Sequence, residues 1–392
     1  MFRDAGVPIT DFGDFPTHRK IIAYKKGSTN PDVVFGDQSS ASYHGTHTAG
    51  TTVGNDDGIG ASPNDGMAKA AKLYFEDLSG PLLGTGLDPF LDLNDLFLPS
   101  YLGNAGGAAR VSSNSWGAPV AGAYDVTSLN TDQFMWNHPD YLIFFANGNS
   151  AGSQTVGSPG AAKSVVSMGA LQTAPTQMNL ATYTSRGPAA DGRRKPTIAA
   201  VGTLISAMTP PSDYQQISGT SMATPAAAGT SLLLRQYCTE GWYPTGTKVP
   251  GNGFTPSAAL LKAMCVNSGD MPLKNSSVTL AAPDNNVGYG RIDADIGALL
   301  RRRSAPAPAG RLHPGLEHCT KHRVQGECHR RDHPARGDAV LDRLPRQPGH
   351  GGPARQQPEP HGLERRDLVP GQRLQRVRHQ RRLRPPAAPP TT

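Results

Sequence analysis

The feature that most constrains this chain is the alternation of short, largely apolar runs with stretches of helical pattern over its first 300 residues. Runs at 20–24, 72–78, 110–114, 141–146 and 164–169 are bounded by polar or glycine-rich turns. Runs of that length and composition read as buried strands. Helical candidates follow His44, cover 126–136, follow Ser221 and occupy 256–266, the last with Thr255 placed to cap it and Pro256 in its first turn. Strand–helix alternation argues for an α/β chain with a mostly parallel central sheet and helices on both faces, a three-layer arrangement. No internal repeat interrupts it.

The pattern stops near residue 300, and there the composition changes. Residues 301–392 hold 20 Lys and Arg against 8 Asp and Glu, a net of +12, whereas the preceding residues hold 18 against 23, a net of −5. The chain's overall +7 therefore belongs to the tail. The tail has 8 of the 12 histidines and 14 of the 35 prolines, and it has no Phe, Trp, Tyr, Ile, Met or Asn. Such a segment cannot bury enough apolar surface to offset chain entropy, so no packed core is expected in it. Four cysteines, Cys238, Cys265, Cys319 and Cys328, are too few and too scattered for a disulfide framework. No stretch reaches the roughly 18 apolar residues of a membrane helix, and no signal segment opens the chain, which leaves its compartment unassigned.

Four runs carry candidate chemistry. Ser218-Gly219-Thr220-Ser221-Met222-Ala223-Thr224-Pro225 leads into a strong helix former, placing Ser221 at a helix N-terminus. Free N–H groups and the helix dipole favour developing negative charge there, and a serine hydroxyl becomes a nucleophile when a base takes its proton. On its own, the same serine reads equally as an N-cap. His44-Gly45-Thr46-His47 offers that base, or a pair of metal ligands three residues apart on a helix, although the Glu of a His-Glu-x-x-His site is absent. The apolar strand at 141–146 ends in Asn147-Gly148-Asn149, where Asn149 could donate an amide to an oxyanion or simply make a turn. Ser115-Trp116-Gly117 closes another strand, whose backbone could pair with an extended peptide or be an ordinary strand end.

Taken together, these runs resemble the subtilisin-like serine peptidases (subtilases). His44-Gly-Thr-His-Thr-Ala-Gly matches the family's histidine motif, Gly219-Thr-Ser-Met-Ala-Thr-Pro its serine motif, and Asn149 its oxyanion asparagine. Further matches are Asn64-Asp-Gly-Met-Ala, Gly157-Ser-Pro, Ser185-Arg-Gly-Pro with Asp191-Gly-Arg, Phe254-Thr-Pro-Ser-Ala-Ala and Gly288-Tyr-Gly-Arg-Ile, so the likeness covers residues 1 to about 300. It implies a serine endopeptidase in which His44 takes the proton of Ser221, Asn149 and the Ser221 N–H hold the oxyanion, and Ser115, Trp116, Gly117, Asn147 and Gly148 contact substrate. It implies protein or peptide substrates, a monomer, no specific nucleic acid and no membrane span. The chemistry needs no cofactor. Structural calcium is common in such proteins, but no liganding run for it is identifiable here. An α/β-hydrolase is excluded, because that fold requires Gly-x-Ser-x-Gly, where this chain has Ala223, and places its histidine after the serine.

The sequence also departs from the resemblance. The third triad member should close a buried strand before His44 in an Asp-Thr/Ser-Gly motif. The only similar run, Asp4-Ala5-Gly6, has three residues before it, too few for a core strand. Asp4 is therefore expected to be a chance match, with the true aspartate, its strand and any signal or pro-segment missing and the chain unstable or nearly inactive. A catalytically impaired remnant that at most binds peptides is the alternative. The family's acidic residue and proline are replaced by Thr197 and Val201, which bears on packing. The tail does not resemble the β-sandwich that follows the catalytic domain in several members. It reads as low-complexity sequence, disordered or frame-shifted. A polyanion-binding role for it, or zinc at His318-Cys319, His322, Cys328-His329 and His333, stays open, although no aromatics for base stacking and no recognised ligand spacing support either.

Overall fold

A computed structural model describes residues 2, 4–28, 33, 35–36, 43–56, 62–78, 92–207 and 214–298. The expectations for 301–392 lie outside these residues.

The apolar runs form strands as expected. A four-stranded parallel sheet contains Val111–Asn114 (call it β3), Leu142–Ala146 (β4), Val166–Leu171 (β5) and Ile198–Val201 (β6), paired in that order. A second sheet pairs Ile21–Lys26 (β1) in parallel with Leu73–Asp77 (β2), with the two-residue strand Gly13–Asp14 antiparallel on the far side of β1. Every residue of β4 and β5 is buried, as expected of strands covered on both faces. Thr203–Ala207 (β7) and Tyr214–Ser218 (β8) form an antiparallel hairpin that delivers the chain to Gly219.

Helices cover the sheets. Helix α1, His44–Val53, crosses from β1 to β2, and α4, Thr220–Thr239, lies on the four-stranded sheet. Leu93–Leu102 (α2) packs against Val126–Asn137 (α3), and α2 buries Leu93, Leu96 and Phe97 in the same core as Phe134 and Tyr141. Helix α5, Ala258–Asn267, begins one turn position later than the sequence suggests. Ser257 is its cap, accepting the Leu260 N–H at 3.1 Å, and Thr255 and Pro256 precede it. Thr197, at the family's acidic position, is buried and pairs with Ser167. Its N–H donates to Ser167 Oγ at 3.0 Å, and its hydroxyl accepts the Ser167 N–H at 3.1 Å.

The register of α1 against α4 positions the site. A Cβ on Gly229 would lie 2.9 Å from the Thr52 carbonyl oxygen, so the helices touch there. Near the other end of α1, His47 bonds the β7–β8 hairpin that feeds the start of α4. The two helices therefore run side by side in the same direction. Thr52 lies eight residues after His44 and Gly229 eight after Ser221, which brings the first turns of α1 and α4 level.

Candidate active site

Helix α4 is capped by Gly219 in an extended conformation, so Ser221 is the second residue of the helix and not its cap. The N-capping alternative is set aside on that geometry. Pro225 sits four residues on and has no N–H to donate to the Ser221 carbonyl. Ser115 supplies the missing donor, its hydroxyl bonding that carbonyl at 2.8 Å, while the Ser221 hydroxyl leans towards the Ser115 carbonyl at 3.4 Å. The proline thus ties the serine segment to the end of β3.

Asn149 is aimed by Thr220. Its Oδ1 accepts the Thr220 N–H and the Thr220 hydroxyl, each at 2.9 Å, which leaves its Nδ2 to donate. The Thr220 hydroxyl also accepts the Gly148 N–H at 3.3 Å. Gly148 has φ +108°, and a Cβ there would meet the Ser185 hydroxyl at 2.8 Å, so glycine is required at this turn. Neither Asn149 Nδ2 nor the Ser221 N–H has an acceptor among the described residues. Both residues line one cleft of about 270 Å³ with Ser115, Trp116, Gly117 and Gly148, and among the described residues no charged side chain lines it. Trp116 is braced edge-on against Phe145, with ring centroids 5.1 Å apart. A Cβ on Gly117 would be 2.6 Å from the Ser158 carbonyl oxygen, which lets this segment run close to its neighbour.

Asn147 is placed differently from expectation. Its side chain is fully buried, donates to the Ser185 carbonyl at 2.7 Å and does not line the cleft. That bond braces the turn that carries Asn149, while Asn147 Oδ1 is buried without a partner among the described residues.

His44 opens α1 and is half-buried. His47, one turn on, is fully buried, and its Nε2 faces the carbonyls of Leu204 at 3.2 Å and Gln215 at 3.1 Å. Two carbonyls at one ring nitrogen require an N–H there, so His47 cannot offer that nitrogen to a metal. Burial pulls its basicity down, the two carbonyl bonds oppose this, and the neutral ring is favoured. His47 Nδ1 is thereby left as the unprotonated nitrogen, buried and without a hydrogen-bond partner among the described residues. Among the described residues no group of three or more His, Cys, Asp or Glu gathers to hold a metal ion. Asp4 accepts N–H bonds from Arg19 at 2.8 Å and Gly6 at 3.1 Å, in a loop of its own. Cys238 and Cys265 are buried free thiols.

Sequence reasoning missed the supporting roles of Thr220, Pro225 and His47. Pro225 was legible by counting four residues from Ser221. His47 was not, because its partners lie more than 150 residues away.

With this geometry in place, comparison with known proteins is informative. The model of the subtilase family matches residues 18–290. The chain is 27% identical over 395 aligned residues to the serine protease/ABC transporter B family protein tagD of Dictyostelium discoideum, covering 76% of this chain and 21% of that protein. It is 28% identical over 200 residues to subtilisin BL of Lederbergia lenta, covering 49% of this chain and 63% of that one. The chain spans about a fifth of the length of the Dictyostelium relatives it matches. Among solved structures, the prenylagaramide maturation protease PagA superposes with a TM-score of 0.51 at 22% identity, covering 72% of this chain and 94% of that one, a likeness of fold.

Proposed function

Because the chain belongs to the subtilase family, we propose that it is a serine-type endopeptidase built on His44, Ser221 and Asn149. The carrying observation is the pair of donors without acceptors, Asn149 Nδ2 and the Ser221 N–H, beside the Ser221 hydroxyl in one cleft. In this reading His44 removes the Ser221 proton, Ser221 attacks the peptide carbonyl, and the two donors hold the oxyanion. Each such donor contributes about 10²–10³ in rate. The Ser115–Gly117 segment pairs with the substrate backbone, and the uncharged cleft receives a side chain.

The level placement of His44 and Ser221 at the starts of two parallel helices supports the base assignment. The position of Asp4 in a separate loop supports the second part of the reading, that Asp4 does not orient His44 and that cleavage is slow. Loss of the orienting carboxylate costs such a triad about 3 × 10⁴ in kcat. The reading includes a monomer acting on protein or peptide substrates without a catalytic cofactor, and an exported longer form. Among the described residues no helix is long and apolar enough to cross a membrane.

Hydrolysis of a casein-type substrate by the purified chain tests this. Slow cleavage, abolished by Ser221→Ala, is expected. Cleavage that survives Ser221→Ala overturns the nucleophile assignment, and robust Ser221-dependent cleavage overturns the claim of weakness.

A further inference from the structure

Helix α3 is fastened at two points to residues 158–164. At its start Asp125 is the N-cap, and Asp125 Oδ1 accepts the Ser128 N–H and the Thr127 hydroxyl, each at 2.9 Å. The same oxygen accepts the Ser158 hydroxyl at 2.5 Å. Two turns along the helix, Asp132 accepts the N–H groups of Lys163 at 2.9 Å and Ser164 at 2.7 Å. A cap needs only the N–H of its own helix. The bonds to Ser158, Lys163 and Ser164 do something else: they hang that segment on α3.

The Asp125 cluster is a closed polar network. Ser128 and Ser158 are buried, and the Ser158 hydroxyl also meets those of Thr127 at 2.7 Å and Ser128 at 3.0 Å. Burial would raise the Asp125 carboxyl, but the bonds from Ser158, Ser128 and Thr127 outweigh it and hold the group below its ordinary value. The carboxylate stays ionised, and hydrogen bonds to an ionised acceptor are the stronger kind.

On its other side Ser158 borders the substrate cleft. Gly157–Ser158 is a two-residue strand paired antiparallel with Ala118–Pro119, with Ala118 opposite Ser158 and Pro119 opposite Gly157. Ala118, Pro119 and Gly157 line the cleft with Ser221, whereas Asp125 and Ser158 do not. The ribbon is tight, since a Cβ on Gly157 would lie 3.0 Å from the Ala118 carbonyl oxygen, and the Ser158 carbonyl is the group that approaches Gly117. Gly157 is fixed from the front, its N–H donating to the Asn147 carbonyl at 3.0 Å. Ser158 is fixed from behind, by Asp125.

We propose that Asp125 is a positioning residue for substrate selection: through Ser158 it sets the wall of the cleft that receives the substrate side chain beside the attacked carbonyl. Neither residue touches substrate. Breaking the link leaves Ser221 and Asn149 on their own supports, Ser115 and Thr220, and loosens only the wall. Discrimination among side chains falls, while the contacts of the substrate backbone remain. This role rests on the reading of the cleft as the substrate site and is independent of how reactive the nucleophile is.

The test uses the full chain carrying Ser221→Ala, so that binding is read without cleavage. The probes are two fluorescein-labelled peptide amides, Gly-Ala-Ala-Phe and Gly-Ala-Ala-Ala, titrated by anisotropy. The phenylalanine peptide is expected to bind about tenfold tighter or more. Ser158→Ala breaks the link and keeps the cap of α3, so it should cut that ratio to about threefold or less and leave the alanine peptide little changed. Asp125→Ala should do the same, and the double variant should lose no more than either single one, because both remove one bond. Asp125→Asn keeps the oxygen that accepts all three bonds and should recover most of the ratio. A merely structural role would lower the thermal midpoint of Ser158→Ala and leave its ratio alone. No preference in the parent, an unchanged ratio in Ser158→Ala, or losses that add in the double variant would each overturn the proposal. A failed nucleophile assignment would show instead in fluorophosphonate labelling and would leave these ratios as they are.

Discussion

Asn149 shows how a single side chain is given a direction. One end of its amide is fixed by two bonds from Thr220, so the other end has a defined aim. Asn149→Asp keeps the acceptor and removes the donor, and Asn149→Ala removes both. Both variants are expected to slow fluorophosphonate labelling of Ser221 about 10²–10³-fold. A purely structural role would spare the Asp variant. Glu76 makes a prediction in stability. Its carboxyl is held near 8 by burial, above its ordinary value of 4.5, so the folded protein binds this proton more tightly than the unfolded chain. The stability it contributes is present below about 4.5 and is lost as pH rises towards 8. Glu76→Gln should therefore be more stable than the parent at pH 8.5, by ~1–3 kcal/mol after allowing for the solvent that reaches the group, and should flatten the pH dependence of the urea midpoint. An unchanged pH profile would show that Glu76 is ionised without cost. The turn that carries Asn149 was legible in the sequence, since it follows an apolar strand and contains a glycine. That Asn147 turns inward was not, because two asparagines flanking one glycine look alike until the Ser185 carbonyl is brought against one of them.

Among the elements, the contact of α1 with α4 is decisive. Gly229 permits it: a Cβ would also lie 2.6 Å from the Met67 Cβ. Gly229→Val should destabilise the protein by ~1–3 kcal/mol through overpacking. It should also reduce Ser221 labelling at temperatures where the protein remains folded, because α1 carries His44. Retained labelling in a destabilised variant would show that the helix spacing does not set the site. His47→Ala removes the link from α1 to both hairpin strands and should lower the thermal midpoint. His47→Asn keeps a donor and should recover part of the loss. The buried strands were legible because strands covered on both faces become apolar runs. The β7–β8 hairpin was not, since Tyr214–Ser218 is polar and only partly buried. Helix α2 was missed because Pro99 lies within it.

At the scale of the molecule, the family likeness covers the described sheets and helices together. Helices α1 and α4, side by side, carry His44 and Ser221 in their first turns, while the described parallel strands fall into two sheets. The strand order within each sheet was within reach of the alternation pattern. The charge asymmetry separating 301–392 from the rest was plain in composition alone. The central claim is that Ser221 is an activated nucleophile with His44 as its base. The direct measurement is treatment of the purified 392-residue chain with a fluorophosphonate, followed by mass mapping of the adduct. A slow-forming adduct on Ser221, lost in His44→Ala with the fold retained, is the expected result. No adduct on Ser221, or one that forms at the same rate in His44→Ala, would contradict it.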